Sequence, residues 1–381
     1  MSKILYPVFL ACFRLFLFYF FRIFPINKNR VFVVNFNGKG YGDNPKYITE
    51  AILRRRLKFE IIWAVDNLDK YNFPPGIKTV KYNSIKSIFF QVTAKIWIDN
   101  TRKEHFVRKR EKQFYIQTWH GCIGLKKSEK DSEITLSRVY IKQAKNDSKM
   151  INAMISNSNY CTNMYRNSFW YNGEILEYGS PRNDILIKYP ASAREKIYKI
   201  YNIEPKFKII IYAPTFRDNP DRETYNIAFK SILQSLNENT SCRWLFFLRL
   251  HPNLKPDSTK FPFSPDIINV SSYDDMQELL IASDILITDF SSSMFEFMLM
   301  KKPVFLFLND YDAYINKERG LYFDILSLPF PHAFNNDKLL DNIKNYNREL
   351  YIKKLNLFID QFNLFETGNA SEKVVDRILS V

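Results

Sequence analysis

The chain has 381 residues, 46% of them apolar, with 34 Phe and 23 Tyr against 10 Gly. That length and composition fill two cores of ordinary size and exclude a disordered or low-complexity protein. Lysine and arginine outnumber aspartate and glutamate by 55 to 40, and the resulting +15 favours polyanionic partners: nucleic acid, an anionic membrane face or phosphorylated substrates.

Cys12, Cys122, Cys161 and Cys242 are scattered, with no CxxC pair and no Cys/His set at zinc spacing. Reduced thiols, no metal and a cytosolic setting are expected. Residues 4–24, ILYPVFLACFRLFLFYFFRIF, approach the ~20 residues needed to cross a bilayer. Arg14 lies at their middle, where insertion would cost about 2.5–3.5 kcal/mol, whereas a helix lying in the interface can snorkel it to the headgroups. No small-residue cleavage site follows the run. The expectation is a membrane-anchoring helix within residues 1–28, flanked by Lys3, Lys28 and Arg30, with a true span or a buried helix as the alternatives.

Residues 31–36 read as a strand, followed by a loop, GKGYGDNP, whose spacing matches neither nucleotide-binding glycine motif. Asn44-Pro45 then opens a helix that runs through residue 52. Strands recur at 60–65 and 94–99, and the alternation implies a parallel α/β sheet. In residues 113–127, QFYIQTWHGCIGLKK, a strand ends at His120-Gly121, which sets an imidazole at the carboxyl edge of that sheet, where open α/β folds bind ligands. Gly121, Gly124, Lys126 and Lys127 make this a polar mouth, and His120 is the candidate general base. A strand from 153 and a helix opened at Ser158 or Asn159 come next, and residues 179–184 mark the passage from a domain over 29–184 to one over 185–381.

The second half repeats the unit. KIIIYAPTFRD gives a strand at 208–212 and a loop with Thr215 and Arg217; RWLFFLRLHPN gives a strand ending in Arg249 and His251. Residues 285–288 are a strand or its edge, Asp289 and Phe290 turn the chain, and three serines precede an apolar helix. Ser293 and Glu296 fit a capping box that accounts for part of the run without a ligand. Taken together, Thr215, Arg217, Arg249, His251, Thr288, Asp289, Ser291 and Ser292 fall at one sheet edge, where cations beside a helix N-terminus form a diphosphate cradle. A strand at 303–308, a loop holding Arg319 and a terminal helix with Val374, Val375 and Ile378 on one face complete the chain.

WHG at 119–121, YGSPRND at 178–184, YAPTFRD at 212–218, RLHPN at 249–253, ITDFSSSMFEF at 287–297 and RGLYFD at 319–324 stand in one order, with GKGYGDNPKYI at 38–48 and TGNASEKVV at 367–375. In that order, over about residues 31–380, the chain resembles the CDP-glycerol glycerophosphotransferases of teichoic acid and related capsule synthesis. The resemblance implies a GT-B architecture, two Rossmann-like domains facing across a cleft, the C-terminal one holding the CDP-polyol. It also implies monotopic attachment to the cytoplasmic side of the cell membrane, and transfer of a polyol phosphate from CDP-glycerol to a hydroxyl of a lipid-linked saccharide acceptor, with release of CMP. The catalytic histidines it implies fall on His120 and His251, and the binding residues on Arg217, Arg249, Thr288, Asp289, Ser291, Ser292 and Arg319. No cofactor or metal is carried over, and Phe290 replaces a commoner tyrosine. Polymerising members often carry an extra N-terminal region absent here, which leaves a priming or single-addition role open. The alternatives are a CDP-ribitol-dependent transferase, a GT-B glycosyltransferase using a nucleotide sugar, and a non-catalytic basic membrane or RNA scaffold. Nucleic acid is not an expected partner, because the compact basic runs are confined to residues 54–56 and 108–110 and no RNP-type aromatic strand is present.

Overall fold

The runs VFVV, EIIWAV, KIIIYA and ILIT are apolar at successive positions, as strands buried on both faces of a parallel sheet require. The computed structural model describes residues 2–121, 123–217, 224–250, 261–317 and 320–381. Among these, β1 (Asn27–Val34), β2 (Glu60–Val65), β3 (Ile77–Lys81), β4 (Ala94–Asp99), β5 (Phe114–Gln117), β6 (Ala153–Ser156) and β7 (Glu174–Glu177) form one parallel sheet in the order β3-β2-β1-β4-β5-β6-β7. A second parallel sheet contains β8 (Phe207–Ala213), β9 (Arg243–Leu248), β10 (Ile267–Asn269), β11 (Ile285–Thr288), β12 (Val304–Phe307) and β13 (His332–Ala333), in the order β10-β9-β8-β11-β12-β13. Each sheet reverses its winding once, the first between β1 and β4 and the second between β8 and β11. Such reversals open crevices at the carboxyl ends of the strands.

The chain divides into two compact units. The first comprises Met1–Gly121, Ser128–Asp184 and Phe365–Val381, and the second Cys122–Lys127 and Ile185–Leu364. Val31, Val33, Ile61, Trp63, Ile96 and Ile116 centre the first core, and Ile210, Tyr212, Phe246, Ile287 and Phe305 the second. The helix Asn159–Ser168 is capped by Ser158, whose hydroxyl accepts from the Cys161 N–H, so the hydroxyl read as a helix opener satisfies one of the orphan donors of the first turn.

The N-terminal residues form a helix, Ser2–Phe20. Leu17 and Phe18 are buried, with Phe18 against Phe106, and the Arg14 guanidinium lies over the Phe106 ring at 5.3 Å. Arg14 is thereby matched by a ring of the protein rather than left to reach for headgroups. No helix among the described residues is long and apolar enough to cross a membrane.

The last helix, Ala370–Leu379, packs Val374, Val375 and Ile378 into the first core. Asp184 accepts from the N–H groups of Ala370 and Ser371, the orphan donors at its start. Just before it, Glu366 Oε1 accepts from Asn183 Nδ2 (2.7 Å) and Asn157 Nδ2 (3.3 Å), and Oε2 from the Ser180 N–H (3.1 Å). Burial pushes this carboxyl up to about 7, helped by Asp184 and opposed by the three donors. The folded protein therefore holds the proton more tightly than the unfolded chain, and stability falls as pH rises from the ordinary value of 4.5 through about 7. Melting temperatures across that range should show the decline, and Glu366→Gln should flatten it; an unchanged slope in the variant would remove Glu366 as its source.

Candidate active site

In the first unit the side chains at the β1/β4 reversal lock together. Asn100, just past β4, donates from Nδ2 to Asn35 Oδ1 (2.7 Å) and accepts from the Phe36 N–H (2.8 Å). The Asn100 main-chain carbonyl lies 2.6 Å from His120 Nδ1. A carbonyl can only accept, so Nδ1 carries the proton and Nε2 keeps its lone pair. The imidazole is half-buried, stacked on Trp119 (4.5 Å between centroids, 27° between planes) and met edge-on by Phe36 at 5.3 Å. Burial lowers its pKa, Arg182 adds to this, and the Asn100 carbonyl and Asp43 oppose it. The result is a neutral, oriented ring whose Nε2 has no hydrogen-bond partner among the described residues, which is what a general base requires.

The surrounding loop is built to hold it. Trp119 adopts a left-handed backbone, φ 51°, fixed by its N–H donating to Gln117 Oε1 and by Asn44 Nδ2 donating to its carbonyl. Asn44 Oδ1 accepts from the Arg182 N–H, and Asp43 forms a buried ion pair with Arg182. Gly38 has φ 97°, and a Cβ there would stand 2.8 Å from the Asp66 main-chain nitrogen, which accounts for that glycine without a ligand. Under Trp119 lies Arg102, its guanidinium 5.6 Å from the indole and 5.3 Å from Phe169. Arg102 pairs with Glu129 (2.9 Å) and Asp147 (3.2 Å) and donates to the Ser148 hydroxyl. Burial pushes Asp147 up to about 6, with Arg102 opposing it. Sequence reasoning singled out His120 and missed Asn100, Asp43, Arg102 and Arg182. Asp43 and Arg182 lay inside motifs that carried the resemblance, which was the available signal.

In the second unit the β8/β11 reversal brings three predicted polar residues together and adds a fourth, Asp310. Asp289 Oδ1 accepts from the Thr215 N–H (2.8 Å) and Oγ1 (2.6 Å), and its Oδ2 from Arg217 Nη2 (2.9 Å). Arg217 also donates from Nε and Nη2 to Asp310 (2.7 and 3.0 Å) and from Nη1 to the Thr215 carbonyl. Its guanidinium lies 4.3 Å from the Tyr314 ring, which stacks on Phe290 at 3.7 Å. Burial alone would lower the Arg217 pKa, yet Asp289 and Asp310 hold it above its ordinary value.

Arg217 was expected at a diphosphate; in the structure the carboxylates of Asp289 and Asp310 more than neutralise its charge, and it ties together the loops after β8, β11 and β12. Arg249 spends Nη1 on the carbonyls of Val270, Ser271 and Tyr273, pinning the segment after β10. Thr288 is fully buried and donates to the Ala213 carbonyl, a link between strands rather than a ligand contact. The capping box does not form, because the short helix begins at Ser293 with Ser292 as its N-cap, and Glu296 accepts from Gln277. Ser291 and Ser292 remain half-buried at the strand end, Ser291 Oγ lying 3.0 Å from Ser293 Oγ. The Lys127 N–H donates to the Gly320 carbonyl and Lys126 bridges to Leu321, both inside the second unit. His251 and Arg319 lie outside the described residues. Among the described residues no group of three or more His, Cys, Asp or Glu is placed to hold a metal ion.

The chain is similar to known proteins over most of its length. A Teichoic acid poly(glycerol phosphate) polymerase of Staphylococcus epidermidis is 33% identical over 90% of this chain and 49% of its own length. One of Bacillus spizizenii is 30% identical over 94% of this chain and 93% of its own. The chain thus spans about half the length of the first and nearly all of the second. A solved structure of a variant of the wall teichoic acid polymerase TagF superposes with a TM-score of 0.83 at 30% identity, covering 93% of this chain and 89% of that one. The sequence profile of CDP-Glycerol:Poly(glycerophosphate) glycerophosphotransferases matches residues 16–380, and the chain belongs to that family.

Proposed function

We propose that the chain transfers glycerol phosphate from CDP-glycerol to a hydroxyl of a lipid-linked saccharide acceptor, in teichoic acid or capsular polymer synthesis, and releases CMP. The observation that carries the reading is the 2.6 Å contact from His120 Nδ1 to the Asn100 carbonyl, which leaves Nε2 ready to take a proton. The acceptor O–H gives that proton to Nε2, its oxygen bonds to the phosphorus bearing the glycerol, and the bond from that phosphorus to the CMP oxygen breaks. Such transfers depend on alignment and on neutralising oxygens. The hydroxyls of Ser291 and Ser292, with His251 and Arg319, are assigned to the diphosphate and the leaving CMP. Arg217, Arg249, Thr288 and Asp289 support the loops that present them.

The proposal takes the two units as the lobes of a GT-B transferase working at the cytoplasmic side of the cell membrane. The N-terminal segment supports that location, with Phe9, Phe16 and Ile23 at 68, 57 and 70% exposure and the exposed Lys28 following. Incubation with CDP-glycerol, CDP-ribitol and UDP-sugars, read by chromatography of the released nucleotide, tests it. CMP from CDP-glycerol is expected. UDP from a UDP-sugar would replace the reading with a glycosyltransferase, and CMP from CDP-ribitol alone would change the polyol.

A further inference from the structure

Trp119 holds its backbone at φ 51°, a left-handed conformation that is unfavourable for a bulky residue and persists only where the surroundings impose it. Two side chains impose it here: Gln117 Oε1 accepts from the Trp119 N–H at 2.9 Å, and Asn44 Nδ2 donates to the Trp119 carbonyl at 3.1 Å. The indole is thereby laid flat on the His120 imidazole, 4.5 Å between centroids and 27° between planes. Phe169 meets the indole edge-on at 4.8 Å and 82° and keeps it from turning. A tryptophan that only filled space could do so from an ordinary backbone, so the strain serves the aim of the ring. Among the described residues it is the one ring stacked on that imidazole, since Phe36 meets it edge-on.

The face of an indole is negative and attracts cations more strongly than other aromatic side chains do. A neutral imidazole gains little from it; an imidazolium gains much more. A contact that strengthens only as the proton arrives is stronger in the transition state than in the ground state, and so raises turnover rather than substrate affinity. The Arg102 guanidinium, 5.6 Å from the same indole, would compete for that face. Glu129 and Asp147 pair with it at 2.9 and 3.2 Å, and with both carboxylates ionised the trio carries a net negative charge.

We infer that Trp119 is a positioning residue for the transfer: its indole face stabilises the imidazolium that His120 becomes on taking the acceptor proton, and the Arg102–Glu129–Asp147 trio keeps that face electronegative. The inference rests on the transferase reading above, in which the proton passes from the acceptor O–H to Nε2 while Nδ1–H stays on the Asn100 carbonyl. The other charges facing the ring are Asp43 and Arg182, which pair with each other. Burial dominates the fall in the His120 pKa; the Asn100 carbonyl, Asp43 and Glu129 work against it, and Arg182 adds to it. The charge of Glu129 thus reaches the imidazole as well as Arg102.

The test uses the full chain with isotope-labelled histidine, in which the His120 signals are those lost from His120→Ala. Titration by NMR should show the His120 pKa falling by about 0.5–1 in Trp119→Leu, which keeps an apolar side chain without an aromatic face, and by less in Trp119→Phe. In turnover, kcat for CMP release should fall about 3- to 10-fold in Trp119→Leu at constant KM for CDP-glycerol, the acid limb of the pH profile moving with the NMR value. Should leucine fail to fold at this strained position, mono-, di- and trifluorotryptophan placed site-specifically at Trp119 keep the shape and weaken the negative face. The His120 pKa should then fall stepwise with fluorine content. A pKa that does not move along that series overturns the inference, and so do equal losses of kcat in the phenylalanine and leucine variants, which would assign Trp119 to packing alone. The NMR titration needs no turnover, so failure here is distinguishable from an absence of CMP release by the unaltered protein.

Discussion

Replacing His120 with alanine should lower CMP release from CDP-glycerol by about 10²–10⁴-fold while leaving the melting temperature close to that of the unaltered protein. The size follows from losing proton transfer in the transition state, and the retained fold from where the ring sits. It is half-buried above the β1/β4 reversal, and the Asn35–Asn100 pair and the Asp43–Arg182 ion pair that shape its surroundings do not depend on it. The pH profile gives an independent readout. A base acts only when neutral, so turnover rises with pH through its pKa, and burial sets that acid limb below the ordinary value of 6.5. Added imidazole should restore part of the rate to the alanine variant if the vacated space admits it. Full turnover in a folded His120→Ala protein would remove the imidazole from the reaction.

Arg217→Ala should cost about 3–5 kcal/mol in the second unit, because it leaves Asp289 and Asp310 buried side by side with no cation between them. Breaking a buried pair is expensive where replacing the whole group is not. The triple change Arg217→Met/Asp289→Asn/Asp310→Asn should therefore recover part of the loss. Thermal unfolding of the variants reads the stability, and the KM for CDP-glycerol reads how far the displaced loops disturb the donor. An Arg217→Ala protein that melts with its parent would mean that the trio does not hold those loops.

Much of the architecture could be read before any coordinates. The limits of β2, β4 and β11 coincide with the apolar runs at 60–65, 94–99 and 285–288, because a strand buried on both faces has no polar position at which its signal fades. Edge strands defeat that signal. β3, with sequence IKTVK, buries only Val80, and β10 and β13 are three and two residues long, so pairing rather than composition creates them. The site divides the same way. Which residues reach the strand ends was legible, since parallel strands deliver their last residues to one edge. What those residues bond to was not: Arg249 turns to main-chain carbonyls, Arg217 to an aspartate 93 residues along the chain, and Thr288 to a neighbouring strand. Such partners are chosen by three-dimensional proximity, and no local pattern encodes them.

The return of residues 365–381 to the first unit bears on how the molecule is made. Val374, Val375 and Ile378 are structural members of an interior that begins with Val31, so a nascent chain emerging from a ribosome has to complete the intervening lobe before the earlier one can close its apolar surface. During that interval the sheet around β1 and β2 lacks its cover, and truncations that remove only the final turns should be captured by chaperones or precipitate, even though no residue implicated in chemistry has been lost.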